Sequence, residues 1–582
     1  MSIEAKVAPS IGVERSITFM DKVHARLSAM RAQATGFVSQ PEPRTIGSFA
    51  KGKQLAAGNF QFGGHLVQAE GRSLWEITPP DAMYEAELNG FTWLDDLASV
   101  GDRKSRLMAQ AWMHEWIERF GRGRGLGWSP DLTGRRLIRW INHALFLMNG
   151  QAPETNDLYY KSLAHQTAYL GRRWAVASRG LPRFEALTGL LYASLSLGGM
   201  ERYAAPSTNA LARECADQID AEGGIPTRNP EELLEVFTLL TWAAAALTEA
   251  ERTPLPAHLD AIERIAPTLR ALRHADGGLA RFNGGGRGLE GRLDHALANS
   301  GVKAAHLEGL AMGYARLSGG RTTMIADVST PPARNASRAA HASSLAFELT
   351  SGRRALIVNC GSGAPFGAEW RRAGRATPSH STLSIDGVSS AKLTVHPQGE
   401  FLTSGPTKVT EQRTVTDNAS EIISSHNSYC TEYGLTHVRK MEVSFDGGRI
   451  TGEDTLAALS DPDRVRFDAH MDKISLQGVP YSVRFHLHPE VDASLDMGGT
   501  AVSLALKSGE VWVFRPSFAA KMTIEPSVYL EKGRLKPRAS KQIVLSSRVM
   551  EYASQVSWSL AKAQDTPSYL RDVDEDLELA LN

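Results

Sequence analysis

Six histidines and a tyrosine in the C-terminal half are the residue types from which acid–base or metal chemistry is built. His341 opens HASSLAFEL and His380 lies in PSHSTLSIDG, while His426 and Tyr429 lie in SSHNSYCTEYGLTHVRK, ahead of His437 and Arg439. A histidine and a tyrosine three residues apart can supply the base and the acid of a proton-transfer pair. His486 and His488 share one strand face in RFHLHPE, flanked by Arg484. They have the i, i+2 spacing of metal ligands, but no nearby Cys, Asp or third His completes a set, which favours a structural role. A lone histidine is more often a satisfied core or surface residue than a ligand.

The helical half offers candidates for binding. HADGGLARFNGGG (274–286) carries His274 into a Gly-rich loop. No strand precedes it and no GK[ST] follows, so it is not a phosphate loop. Its glycines permit tight turns or a backbone that closely approaches a ligand. In GGIPTRNP, Asn229 and Pro230 read as N-cap and first helical residue, with Arg228 beside them projecting toward an anionic substrate or simply flanking the cap. Trp75 and Trp93, in a Gly/Pro-rich setting, either stack on sugar rings or clamp the N-terminal segment onto the domain behind it. Arg228, Arg281, Arg371, Arg372 and Arg375 are the cations that would line a basic groove.

These residues must be held by two kinds of element. From about 100 to 318 the apolar residues recur every three or four positions, as in Met108/Trp112/Trp116/Phe120 and Leu137/Ile141/Leu145. Seven or eight such stretches with short Gly/Pro punctuation predict antiparallel helical hairpins closing toward a ring. Beyond about 340 the period is two, in Leu345/Phe347/Leu349, Met441/Val443/Phe445, Val483/Phe485/Leu487 and Val502/Leu504/Leu506. Roughly fifteen short strands, with a turn at Asp446-Gly447-Gly448, predict an all-β sandwich. The segment STPPARNAS (329–337) reads as the linker, and the site is expected in a cleft between the two domains.

The 582 residues balance 64 Lys+Arg against 64 Asp+Glu, which excludes a uniformly basic shell of the kind that binds nucleic acid. A local basic groove remains open. Three cysteines without a CxxC pair exclude a disulfide framework and a thiolate zinc site. No long apolar run follows the N-terminus, so neither a signal peptide nor membrane insertion is expected. A cytoplasmic location is the default expectation.

The segments HASSLAFELTSGRRALIVNCGSG, RATPSHSTLSIDG and SSHNSYCTEYGLTHVRKMEVS resemble the heparinase II/III family of polysaccharide lyases. The resemblance runs from about residue 59 to about 562. It implies an incomplete (α/α) toroid at 59–328 and an antiparallel β-sandwich at 338–562, between an N-terminal extension (1–58) and an acidic tail (563–582). It also implies β-elimination at uronic acid residues of an acidic polysaccharide. Such chemistry needs a group to neutralise the carboxylate, a base for the C5 proton and an acid for the leaving oxygen.

Several family positions differ here. Ala339 stands where the first His of a His-x-His motif is expected, two residues before His341. Glu232 falls where the family has its tyrosine, and Leu181-Pro182 replace an Asn-His pair. Tyr429 and His426 are therefore the replacement catalysts, and Arg228, His274, Arg371, Arg375 and Trp75 the substrate contacts. No cofactor is required. The family's structural zinc would fall to His341, His380 and Asn359. The alternatives are a non-catalytic carbohydrate-binding relative in envelope or capsule metabolism, or an interaction protein built on a lyase scaffold. The family alternative for location is the periplasm or cell envelope, and the oligomeric state is open.

Overall fold

The computed structural model describes residues 17–29, 33–39, 43–303, 309–385, 387–397, 399–517 and 519–565. The first sixteen residues and most of the acidic tail read at 563–582 lie outside them. The chain forms two compact units. Of the described residues, one unit comprises those from 17 to 225, 234–266 and 295–303, and the other 226–233, 267–294 and those from 309 to 565.

The first unit is helical apart from a short hairpin, β1 (Asn59–Phe62) with β2 (His65–Gln68). Its core is aromatic. Phe91 packs against Trp75, Trp93, Trp116 and Trp140, with ring centroids 5.7, 4.7, 6.0 and 5.3 Å away. The spacing of four in the helix Arg103–Phe120 places Trp112 and Trp116 in this core. Helices Pro130–Asn142 and Leu181–Ser196 approach closely because Gly134 and Gly189 face each other. A Cβ on Gly189 would stand 2.4 Å from the Gly134 Cα. The expected continuation of the first of these helices to Leu145 is not observed. His143 leaves helical geometry at φ −102° and ψ 22°, its ring bound to Asp95 at 2.8 Å, and Leu145 is 75% exposed.

The second unit is a sandwich of antiparallel strands. They are β3 (Tyr314–Gly319), β4 (Thr322–Asp327), β5 (Phe347–Ser351), β6 (Arg354–Val358), β7 (Leu383–Ile385), β8 (Lys392–His396), β9 (Gly399–Thr403), β10 (Val409–Val415) and β11 (Ala419–His426). There follow β12 (Thr436–Ser444), β13 (Arg449–Ala457), β14 (Val479–Leu487), β15 (Asp492–Asp496), β16 (Ala501–Ala505), β17 (Val511–Pro516), β18 (Lys521–Tyr529), β19 (Arg538–Val549) and β20 (Ala553–Gln564). One sheet runs β10-β11-β12-β13-β20-β17-β16-β15. The other runs β18-β19-β14-β6-β5-β4-β3, with β7 also on β14. Their inner faces share one core, to which Phe347, Val483, Phe485 and Leu487 contribute from one sheet and Met441, Val443, Trp512 and Trp558 from the other. The turn predicted at Asp446-Gly447-Gly448 joins β12 to β13.

Strands begin at Tyr314 rather than near 340, because β3 and β4 belong to the same sheet as β5. Residues 329–337 are consequently an insertion within the sandwich unit and not a linker between units. Strand β5 alternates as expected, but it is buried along its whole length, so its polar residues Glu348 and Thr350 are enclosed as well.

Candidate functional site

The sandwich unit gathers most of the predicted residues, but commits them to structure. Tyr429 is 1% exposed and packs in the shared core, its hydroxyl donating to the Leu383 carbonyl at 3.4 Å. Burial raises its pKa. His426, 5.4 Å from Tyr429 between ring centroids, is equally enclosed. Its Nε2 meets His437 Nδ1 at 3.2 Å, and His437 Nε2 donates to Asp454 Oδ1 at 2.8 Å. Arg439 and the Trp558 indole also bind Asp454. Burial pushes the Asp454 carboxyl up, but the Arg439 guanidinium and the His437 hydrogen bond outweigh it and hold the group well below the usual carboxylate range. Tyr429 and His426 are thus near one another, as their spacing suggested. They cannot act on a polysaccharide, because the sandwich seals them from it.

The arginines expected in a basic groove are each paired. Arg228, itself at φ +49°, donates to the carbonyls of Met312, Gly313 and Thr330 and to Asp327 Oδ1 at 2.6 Å. Asn229 caps the following helix, its Oδ1 accepting from Glu231 N and Glu232 N at 3.0 and 3.2 Å. Arg375 is buried against the carbonyls of Ala340 and Ser337, and Arg371 and Arg372 share Glu400 with it. His274 and Arg281 both contact the Glu348 carboxylate at 3.3 Å. Glu348, although fully desolvated, is held down at about 2 by Arg281 and His274. In the helical unit Trp75 donates from Nε1 to the Trp112 carbonyl at 2.7 Å. It is a clamp, with no open face for a sugar. Arg228, His274, Arg375 and Trp75 are therefore structural, because their polar atoms are spent on buried partners.

His341 and His380 do meet. His341 Nδ1 lies 3.1 Å from His380 Nε2, and His380 Nδ1 donates to the Ala376 carbonyl at 2.9 Å. That carbonyl fixes the tautomers. His380 Nε2 must accept, so His341 Nδ1 carries the donated proton and His341 Nε2 is the unprotonated nitrogen. Burial depresses both pKa values, that of His380 to about 4. The backbone N–H of His341 is held by Asn283 Oδ1, whose Nδ2 donates to the Tyr314 hydroxyl and the Arg228 carbonyl.

Asn359 does not complete a zinc site. Its Oδ1 accepts from Ser381 N at 3.0 Å, which turns Nδ2, a donor that cannot ligate a metal, into the buried interior. Among the described residues no group of three His, Cys, Asp or Glu could hold a metal ion. His486 and His488 do not form a pair of ligands either. His486 bonds Ser527 and the Pro378 carbonyl, and His488 packs on Tyr529.

The Asn283, Glu348 and Asp454 networks were not singled out from sequence. Glu348 did leave a signal, since a carboxylate inside the apolar run SLAFEL requires a buried cation.

Residues 302–559 match the family described as heparinase II/III-like, C-terminal. FtsZ-localized protein C of Caulobacter vibrioides is 28% identical over 556 residues, spanning 93% of this chain and 92% of that protein. The crystal structure of heparinase III aligns with a TM-score of 0.68 at 14% identity, covering 94% of this chain and 89% of that one. A heparan sulfate lyase of Pedobacter heparinus, in a mutant form, aligns with a TM-score of 0.58 at 14% identity, covering 94% and 88%. The shared architecture is a helical toroid followed by an antiparallel sandwich. No described helix is long and apolar enough to cross a membrane. The chain thus carries a heparinase II/III-like C-terminal region, residues 302–559, within a fold shared with these polysaccharide lyases.

Proposed function

We propose that this protein uses a polysaccharide-lyase fold as a binding component where FtsZ assembles, and does not itself cleave glycans. The observation that carries this reading is the commitment of the available acid–base groups. Tyr429 and His426 are enclosed in the sandwich, and Arg228, Arg281 and Arg375 are spent on acidic and carbonyl partners of their own. β-Elimination needs a base, an acid and a carboxylate-neutralising group converging on one sugar. The near full-length likeness to an FtsZ-localized protein supports this reading. On this reading the protein works in the compartment that holds FtsZ.

The second reading is a divergent uronate lyase. One observation favours it: the tautomer chain leaves His341 Nε2 unprotonated, as a base must be. Incubation with heparan sulfate, chondroitin sulfate and alginate, followed by ultraviolet absorbance of the unsaturated uronate, separates the two. The proposal expects no new absorbance on any of them between about pH 5 and 9, a range in which an imidazole with a depressed pKa is available as a base. A steady rise abolished by His341→Ala would establish the lyase.

A further inference from the structure

We propose that the outer edge of β10 is a self-pairing surface, through which two copies of this chain associate about a two-fold axis beside Gln412. Strand β10 is terminal in its sheet and pairs only with β11 among the described strands, in the register Val409↔His426 to Val415↔Ser420. Six of its seven residues are exposed, Val415 at 74%. An edge of this length offers a row of backbone donors and acceptors to another strand.

The sequence of the strand, Val-Thr-Glu-Gln-Arg-Thr-Val, is complementary to itself when read antiparallel. Centred on Gln412, Glu411 of one copy opposes Arg413 of the other, and Arg413 opposes Glu411. Thr410 opposes Thr414, Val409 opposes Val415, and Gln412 opposes its own counterpart. Opposite charges, Thr–Thr pairs and β-branched pairs are the cross-strand combinations that stabilise antiparallel sheets. A two-fold interface requires this self-complementarity. Within one chain Glu411 and Arg413 lie on the same strand face, 3.6 Å apart, so two copies would bring four alternating charges together.

Charged residues on an edge often serve only to prevent pairing. Two other edges of the sandwich, β15 and β18, show what such a guard looks like. In β15, Asp-Ala-Ser-Leu-Asp, the same antiparallel overlay sets Asp492 against Asp496. In β18 it sets Glu525 against itself, beside Pro526, which has no N–H to give. Those edges repel a second copy, whereas β10 matches one. Pairing would join two eight-stranded sheets into one continuous sheet.

Sedimentation equilibrium of the full chain, over about 1–200 μM because strand pairing alone buries less than a standard interface, tests this. The expected result is a concentration-dependent dimer. Glu411→Arg and Arg413→Glu, each placing like charges opposite one another twice, should weaken it roughly tenfold or more. The double variant Glu411→Arg/Arg413→Glu restores both pairs and should restore the dimer. Thermal transitions matching the parent would show that the exposed substitutions leave the fold intact. A parent that stays monomeric throughout, a dimer indifferent to both single reversals, or a double variant no better than the singles would each overturn the proposal.

Discussion

Arg439 meets Asp454 through two hydrogen bonds, Nε to Oδ1 at 2.7 Å and Nη2 to Oδ2 at 3.1 Å, with neither side chain exposed. The pair lies inside the sandwich, and Arg439 also ties to the carbonyls of Leu345 and Ser381. Removing one partner strands the other as an unpaired buried charge. Asp454→Ala should therefore lower stability by about 3–5 kcal/mol in urea unfolding. A change within experimental error would show that the pair is not buried as described.

Tyr429→Phe removes only a long hydrogen bond to the Leu383 carbonyl and keeps the ring in the core. The expected cost is about 1 kcal/mol or less. Tyr429→Ala should cost several times more, about 3–5 kcal/mol, because it opens a cavity between the sheets. Equal losses for the two variants in thermal or urea unfolding would contradict a packing role.

The helical unit makes a separate steric prediction. A methyl at Gly189 would meet Gly134 at 2.4 Å. Gly189→Ala should cost about 1–3 kcal/mol by forcing the helices apart, despite the better helix propensity of alanine. A stabilised variant in the same unfolding assay would mean that the two helices have room to spare.

Buried neutral imidazoles make stability depend on pH. His380 and His486 are depressed to about 4 and His488 to about 3, in each case chiefly by desolvation. The unfolded chain takes up these protons near pH 6.5, whereas the folded chain does so only near its lowered values. Each contribution is therefore complete above about pH 6.5 and is lost as pH falls toward 4, reaching up to about 2 kcal/mol per histidine at pH 5. Unfolding midpoints measured from pH 8 to 5 should fall toward the acid side. A flat profile would indicate that these rings are accessible.

A chelator should leave the thermal transition unmoved, and elemental analysis should find no stoichiometric zinc, since Asn359 supplies no third ligand to His341 and His380. A metal bound only to the folded state would raise its stability, so a drop in the midpoint on chelation would reveal one.

Periodicity made the architecture legible. Trp112 and Trp116 at helical spacing and Val483, Phe485 and Leu487 at strand spacing pointed to the cores they occupy. Where it misled, a local bond had overridden it. His143 turns toward Asp95 and ends a helix whose apolar spacing continues to Leu145. The site was less legible, because type and spacing do not report burial. Arg228, Tyr429 and His426 have the chemistry of a lyase and the surroundings of a core. Asn229, whose cap depends only on its immediate neighbours, was readable from sequence alone. The acids that neutralise the arginines lie far away in sequence, as Asp327 does from Arg228 and Glu348 from Arg281. Only the folded chain brings them together.

The central proposal is that this lyase-like fold acts as a binding component where FtsZ assembles rather than as a glycan-cleaving enzyme. Pelleting of polymerised FtsZ from the same organism, with this full-length protein present, tests it most directly. The account predicts that the protein enters the pellet with the polymer, saturably, and stays in solution when polymerisation is withheld. A protein that remains in the supernatant over saturating polymer would contradict it.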